Sequence, residues 1–350
     1  MSMVDKMIRL SLMSFPRPLN VTQFYPALST YSVERPFSLG DFREAVDCFL
    51  DGNPLFPKCH LIERQFESPE EFPVSSFQGI VLDEYPHYYD GFLLMSVTYK
   101  SDPNVQGIFT AFPMSMQDGY RCFRFHQALM GTMKAGKDRF RIAEAMAELQ
   151  LQTADLDQYL PARKPSIDEH EAVRIMPWEL RETVEPALKI GSYLDMVKAE
   201  FLKRSSENLL VMKNASYASG LLFGNHLMFL FVPREVVARS SGVQIRDHYR
   251  ALAAEAEKTV AQLETPEDFA KAGEAVLPGI AARPRRFGVN NYGDVSRYDG
   301  SDFRPESGTL VKYQWHMPYI VSRGAAMEGS GMHMTITLNG KAFHFLTERR

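Results

Sequence analysis

Two apolar runs separated by a four-residue turn constrain this chain more than any other stretch of it. FLLMSVTYK at 92–100 and VQGIFTAFPM at 105–114 are rich in β-branched and aromatic residues, and the SDPN between them has turn chemistry, so the pair reads as a β-hairpin. Directly after it come SMQDG and then YRCFRFHQALMGTMKAG, where Phe123, Leu129 and Met130 recur near helical spacing. Strand, short loop and helix in immediate succession predict an α/β layered architecture.

The flanking sequence repeats the mixture. SLGDFREAVDCFL predicts a helix from about 40 to 51, with Ser38 or Asp41 as its cap, Phe42, Ala45, Val46 and Phe49 on one face, and the DGNP that follows as its stop. YLDMVKAEFLKRSS at 193–206 and IRDHYRALAAEAEKTVAQLE at 245–264 are strong helix formers. NLLVMKN, LLFGNHLMFLFVP and GMHMTITLNGKAFHFL are strand-length apolar runs, the last a hairpin turning at Asn339-Gly340. Three prolines and dense charge in YLPARKPSIDEHEAVRIMP mark a connection, dividing the chain into an N-terminal lobe at 1–160, a linker at 161–177 and a C-terminal lobe at 178–350.

Composition narrows the function. A formal charge of -4 and scattered Lys and Arg offer no field that gathers nucleic acid. The longest apolar stretches fall short of the ~18 residues of a membrane span, so no membrane partner is expected. Cys48, Cys59 and Cys122 form no CxxC pair and no zinc spacing, which fits free thiols in a cytoplasmic protein. No HExxH or other metal spacing and no Gly-rich phosphate loop occurs, so no bound metal or nucleotide is expected.

The order strand, loop with Asp-Gly, helix, linker, Gly-Asn before a strand (FGNHLMFLFVP, 223–233) and a late Asn-x-Gly (VNNYGDV, 289–295) resembles the chloramphenicol acetyltransferase superfamily, which includes condensation domains of peptide synthetases. That resemblance implies a two-lobed layered fold with mixed sheets and a tunnel between lobes. Its hallmark, HHxxxDG, matches Pro113 to Gly119 when aligned on Asp118-Gly119, which places Met114 where the family keeps its second histidine. In the family that histidine takes a proton from an acceptor hydroxyl or amine, which then attacks an acyl thioester. Imidazole suits the task because its unperturbed pKa is about 6.5. A thioether cannot do it, and neither Ser115 nor Gln117 has a usable pKa unaided.

Three histidines are candidates for a relocated base. His316 lies in YQWHMPYIV with Trp315 and Tyr319, a late stretch that in this family runs close to the tunnel, and strand alternation puts Trp315 and His316 on opposite faces. His226 follows Gly224-Asn225. His87 lies in DEYPHYYDG, a loop cluster of aromatics with Tyr85, Tyr88 and Tyr89, whose HxxDG is one residue short of the motif and whose Asp90-Gly91 reads as a turn before a strand. His126 is a satisfied core residue by this reading. The resemblance makes Asp118 and Gly119 structural, and Met114, Ser115, Gln117, Trp315 and Tyr319 candidates for lining a substrate site; Asn290 and Asn291 are either amide donors to a developing oxyanion or plain turn residues before Gly293.

Three functions follow. The first is an acyltransferase-like enzyme of polyketide or peptide natural-product metabolism, taking a small-molecule or carrier-bound acyl substrate, with acyl-CoA or an acyl carrier protein thioester as donor. The second is a cyclase shaping a chain in the same tunnel. The third is a non-catalytic binding protein of the same fold. Donor, acceptor and oligomeric state stay open at this level.

Overall fold

The computed structural model describes residues 1–14, 24–50, 58–71, 77–88, 91–113, 116–135, 178–215, 224–280, 287–294, 309–315, 331–338 and 340–349. The chain divides into two units, each with its own mixed sheet. The first comprises Met1–His170, Ser219–Asn225 and Gly300–Tyr319; the second comprises Glu171–Ala218, His226–Asp299 and Ile320–Arg350. The expected linker lies outside the described residues, and the first unit takes in two segments from the later half of the sequence.

The first unit is built on a five-stranded sheet of order β2-β3-β4-β1-β9. Its strands are β1 (Phe24–Ser32), β2 (Cys59–Phe66), β3 (Phe92–Tyr99), β4 (Val105–Pro113) and β9 (Thr309–Trp315). The expected hairpin is β3 with β4, antiparallel. β2 joins β3 in parallel, and β1 is antiparallel to both β4 and β9. Helices α2 (Leu39–Leu50) and α4 (Gly119–Ala135) cover the face that carries Phe92 and Phe112, where Phe125 of α4 packs edge-on to both rings and to Phe49 of α2. Helix α3 (Phe77–Tyr88) covers the other face, with Phe77 edge-on to Phe109. Both faces being buried explains why β3 and β4 read as near-continuous apolar runs instead of alternating.

Local signals set these elements. Ser38 caps α2 while Asp41 bonds back to it, so both expected capping residues act together, and Ser2 and Asp5 form the same box on α1 (Met3–Ser14). Buried Gln106 ties β4 to the chain entering α2 through the backbone of Phe37, at 2.8 and 3.0 Å. The stretch at 85–88, read as an aromatic loop, is instead the last turn of α3.

The second unit holds a six-stranded sheet of order β5-β11-β10-β8-β6-β7. The strands are β5 (Trp178–Pro186), β6 (Leu209–Asn214), β7 (Leu227–Val232), β8 (Phe287–Asp294), β10 (Gly331–Leu338) and β11 (Lys341–Arg349). β8 runs parallel to β6 and β10, and the other pairs are antiparallel. Its helices are α5 (Ile190–Arg204), α6 (Arg234–Arg239), α7 (Gly242–Ala261) and α8 (Pro266–Ile280). α5 packs on β8 and against α7, while α7 and α8 pack on β7. The α5–α7 crossing is closest at Gly242, where a Cβ would sit 2.0 Å from the Gly191 carbonyl oxygen, so only glycine fits. The expected turn at NNYG is a correction: β8 continues through Asp294, paired with β10 across a register shift between Thr335 and Thr337.

Candidate functional site

The motif segment leaves the end of β4 and is held on three sides. Pro113's carbonyl accepts from the backbone N–H groups of Met116 and Gln117, at 2.9 and 3.0 Å, closing a tight turn. Gly224, at φ 98, donates its N–H to the Met116 carbonyl at 3.0 Å and forms a parallel bridge with Gln117. That positive φ is the conformational reason for glycine before Asn225. Asp118 caps α4 by accepting from the Arg121 N–H at 3.0 Å, and its other oxygen takes the Arg121 guanidinium at 2.5 Å, with both side chains wholly buried. The structural role expected of Asp118 is thus joined by an arginine one helical turn on.

Two groups near this brace are excluded as reagents. Burial, with the Asp118 charge adding to it, pushes the Cys122 thiol well above the ordinary thiol range, so it carries no thiolate at neutral pH. His126, fully buried on α4, hydrogen-bonds Ser29 of β1 at 2.6 Å and Thr110 of β4 at 2.7 Å. Burial lowers its pKa to about 3, which makes it a weak base that pins the helix to the sheet, as expected of a satisfied core histidine.

The other candidates separate. His87 is exposed on α3, stacked on His60 at 5.0 Å between ring centroids, on the sheet face opposite α4. Its neighbour Glu84 takes His60 at 3.1 Å and Arg64 at 2.6 Å, fixing α3 to β2. His226 is fully buried where β7 begins, its carbonyl accepting from Ala215 at 3.0 Å. Gln117 is fully buried in the bridge to Gly224. Asn290 and Asn291 alternate across β8: Asn290, 5% exposed, lies level with Met212 of β6 and Met334 of β10, whereas Asn291 lies on the face that α5 covers. Met114, Ser115, His316 and Tyr319 lie outside the described residues.

Strand order adds a relation that composition and spacing do not contain. β4 and β9 flank β1 and are both antiparallel to it, so Pro113 and Trp315 leave the sheet at the same end, registered on Phe24 and Ala27. They stand two strand spacings, ~10 Å, apart across the sheet and three residues, ~10 Å, along it. Sequence reasoning did not single out Arg121, although an arginine three residues after a helix-capping acid carries that signal in its spacing.

No family model matches the sequence, and no match is found among curated proteins. Solved structures do match. F. sporotrichioides TRI101 complexed with coenzyme A and T-2 has a TM-score of 0.53 and 12% identity, covering 97% of this chain and 94% of its own. A double mutant of the starter condensation domain of the rhizomide synthetase RzmA, in complex with C8-CoA, has a TM-score of 0.51 and 11% identity, covering 95% of this chain and 85% of its own. A single mutant of that domain with C8-CoA gives 0.50 and 10%, covering 94% and 84%. The two-lobed mixed α/β fold is that of condensation domains and chloramphenicol acetyltransferase-like proteins.

Proposed function

We propose that this chain is an acyl-transfer enzyme that works on an acyl thioester of coenzyme A or of a carrier protein, with a base other than residue 114. The observation that carries the reading is the braced motif segment: a helix-capping Asp118 paired with Arg121, latched by Gly224, following the strand end where the superfamily keeps its histidine. The fold neighbours with coenzyme A or C8-CoA support a thioester donor.

The chemistry requires that a base take a proton from the acceptor O–H or N–H as the acceptor attacks the thioester carbonyl. The resulting tetrahedral oxyanion collapses, the C–S bond breaks, and the thiolate leaves and takes up a proton. Met114 holds no proton at neutral pH. His316 is the base to test first, because it follows Trp315 on the strand that ends beside β1 at the same end of the sheet as Pro113.

The test is thiol release from a panel of acyl-CoA thioesters with hydroxyl and amine acceptors, using wild type, His316→Ala and Met114→His. The reading expects turnover by wild type, a fall of about 10²–10⁴ in His316→Ala and a gain in Met114→His. Undiminished turnover in His316→Ala removes that residue from the role, and no turnover by wild type with any pair, whether the donor is an acyl-CoA or a carrier-bound thioester, removes the proposed activity.

A further inference from the structure

A second cluster of titratable groups lies wholly within the second unit, between α5 and its sheet. Tyr193 of α5 meets Nδ1 of His333 on β10 at 3.0 Å, and Thr335 of β10 meets Nδ1 of His344 on β11 at 3.0 Å. Thr335 also lies near the Tyr193 hydroxyl and lowers its pKa against the effect of burial, so the two bonded pairs form one cluster across three elements. The rings cluster: His333 and His344 lie 5.3 Å apart, tilted to one another, and Tyr193 lies 5.4 Å from His333 and stacks on His344 at 6.2 Å. All four side chains are buried, at 2%, 8%, 3% and 3% exposure for Tyr193, His333, His344 and Thr335.

Each imidazole Nδ1 is engaged by a hydroxyl, and the far end of the ring decides what a second proton would meet. Nε2 of His344 is buried with no hydrogen-bond partner among the described residues. A buried bare lone pair costs less than a buried N–H that donates to nothing, because under-satisfied acceptors are tolerated more readily than orphaned donors. His344 therefore holds its hydrogen on Nδ1 and donates to Thr335. Protonating His344 at Nε2 buries a cation whose new N–H meets no acceptor among the described residues, and protonating both rings sets two buried cations 5.3 Å apart.

We propose that this cluster is an acid-sensitive clasp holding α5 on the second unit's sheet, closed while both imidazoles are neutral and opened by their protonation. The charged and titratable groups facing it are Glu200 and Tyr193 from α5, Glu185 from β5 and Tyr249 from α7, with Glu200 already engaged by Arg204 at 2.6 Å. The two carboxylates oppose opening but do not cancel the burial. Burial, reinforced by the neighbouring His344, lowers His333 from 6.5 to about 4, and burial lowers His344 as well. Both folded-state values lie below the unfolded ones, so the contribution is complete above pH 6.5 and is lost as pH falls toward about 4.

The test compares urea unfolding of wild type and of His333→Gln/His344→Gln between pH 7.5 and 5, alongside the imidazole Cε1–H resonances of folded wild type. Between pH 6 and 5 the clasp predicts that the wild-type unfolding constant rises more steeply than the variant's, by up to about tenfold per pH unit for each imidazole, that the His333 resonance, assigned by single Gln substitution, stays neutral to pH 5, and that the His344 resonance titrates below the ordinary imidazole value. Equal slopes, or titration of both resonances near pH 6.5 in the folded protein, overturn it. Should the double variant not fold, the wild-type resonances decide alone.

Discussion

Removing the Asp118 carboxylate attacks the brace of the motif segment at its centre. Asp118 and Arg121 both have 0% side-chain exposure, so solvent does not screen the pair. Deleting one partner of such a pair costs ~3–5 kcal/mol. Loss of the cap to the Arg121 N–H adds ~1 kcal/mol. Asp118→Ala should therefore cost about 4–6 kcal/mol, a factor of roughly 10³–10⁴ in the folding equilibrium. Asp118→Asn keeps a cap oxygen and should fall about 1 kcal/mol short of that. Asp118→Leu combined with Arg121→Met replaces the ions with apolar groups of similar size and should be more stable than Asp118→Ala alone. Equilibrium urea unfolding followed by far-ultraviolet circular dichroism reads all three. A cost for Asp118→Ala below ~1 kcal/mol, the value of an exposed pair, would refute the reasoning, as would a double variant less stable than the single one.

Two further outcomes follow from the same region. Gly224→Ala forces a side chain into φ 98 and should cost ~1–2 kcal/mol, with faster amide hydrogen exchange at 116–119 than in wild type; unchanged exchange there would show that the latch does not hold the motif segment. His126→Phe leaves the buried hydroxyls of Ser29 and Thr110 without the imidazole and should cost ~2 kcal/mol or more. In wild type the His126 Cε1–H resonance should stay neutral down to about pH 4, and a midpoint near 6.5 would contradict its burial.

Local chemistry made parts of this fold legible. α2 was expected at about 40–51 and spans Leu39–Leu50, because its Ser38–Asp41 box and apolar stripe are contained in its own residues. The β3–β4 hairpin and α4 were equally readable. Helix α3 was not: Gly79, Val81 and Pro86 are poor helix formers, and its burial against β3 and β1 overrides propensity. β5 was passed over because WELRETVEP is charged and is an edge strand, exposed over 183–186. NNYG has turn composition, yet pairing with β10 keeps it extended.

At the site, Asp118 and Gly119 were legible through a short motif, but the partners that fix them were less so. Gly224 meets the motif over a sequence separation of more than a hundred residues, and β9 returns to pair with β1 from near the end of the chain. Such contacts leave no periodicity in a single sequence. The opposed faces of Asn290 and Asn291 follow from β8 being a strand, which the turn reading concealed.

The account's central claim is acyl transfer from a thioester, and the most direct measurement is acceptor-dependent release of free coenzyme A from acyl-CoA by the wild-type chain. The account predicts release that rises with acceptor concentration and yields the acylated acceptor by mass spectrometry. No release above the uncatalysed rate across short, medium and long acyl chains and both acceptor classes, together with the same result with carrier-bound donors, would contradict it.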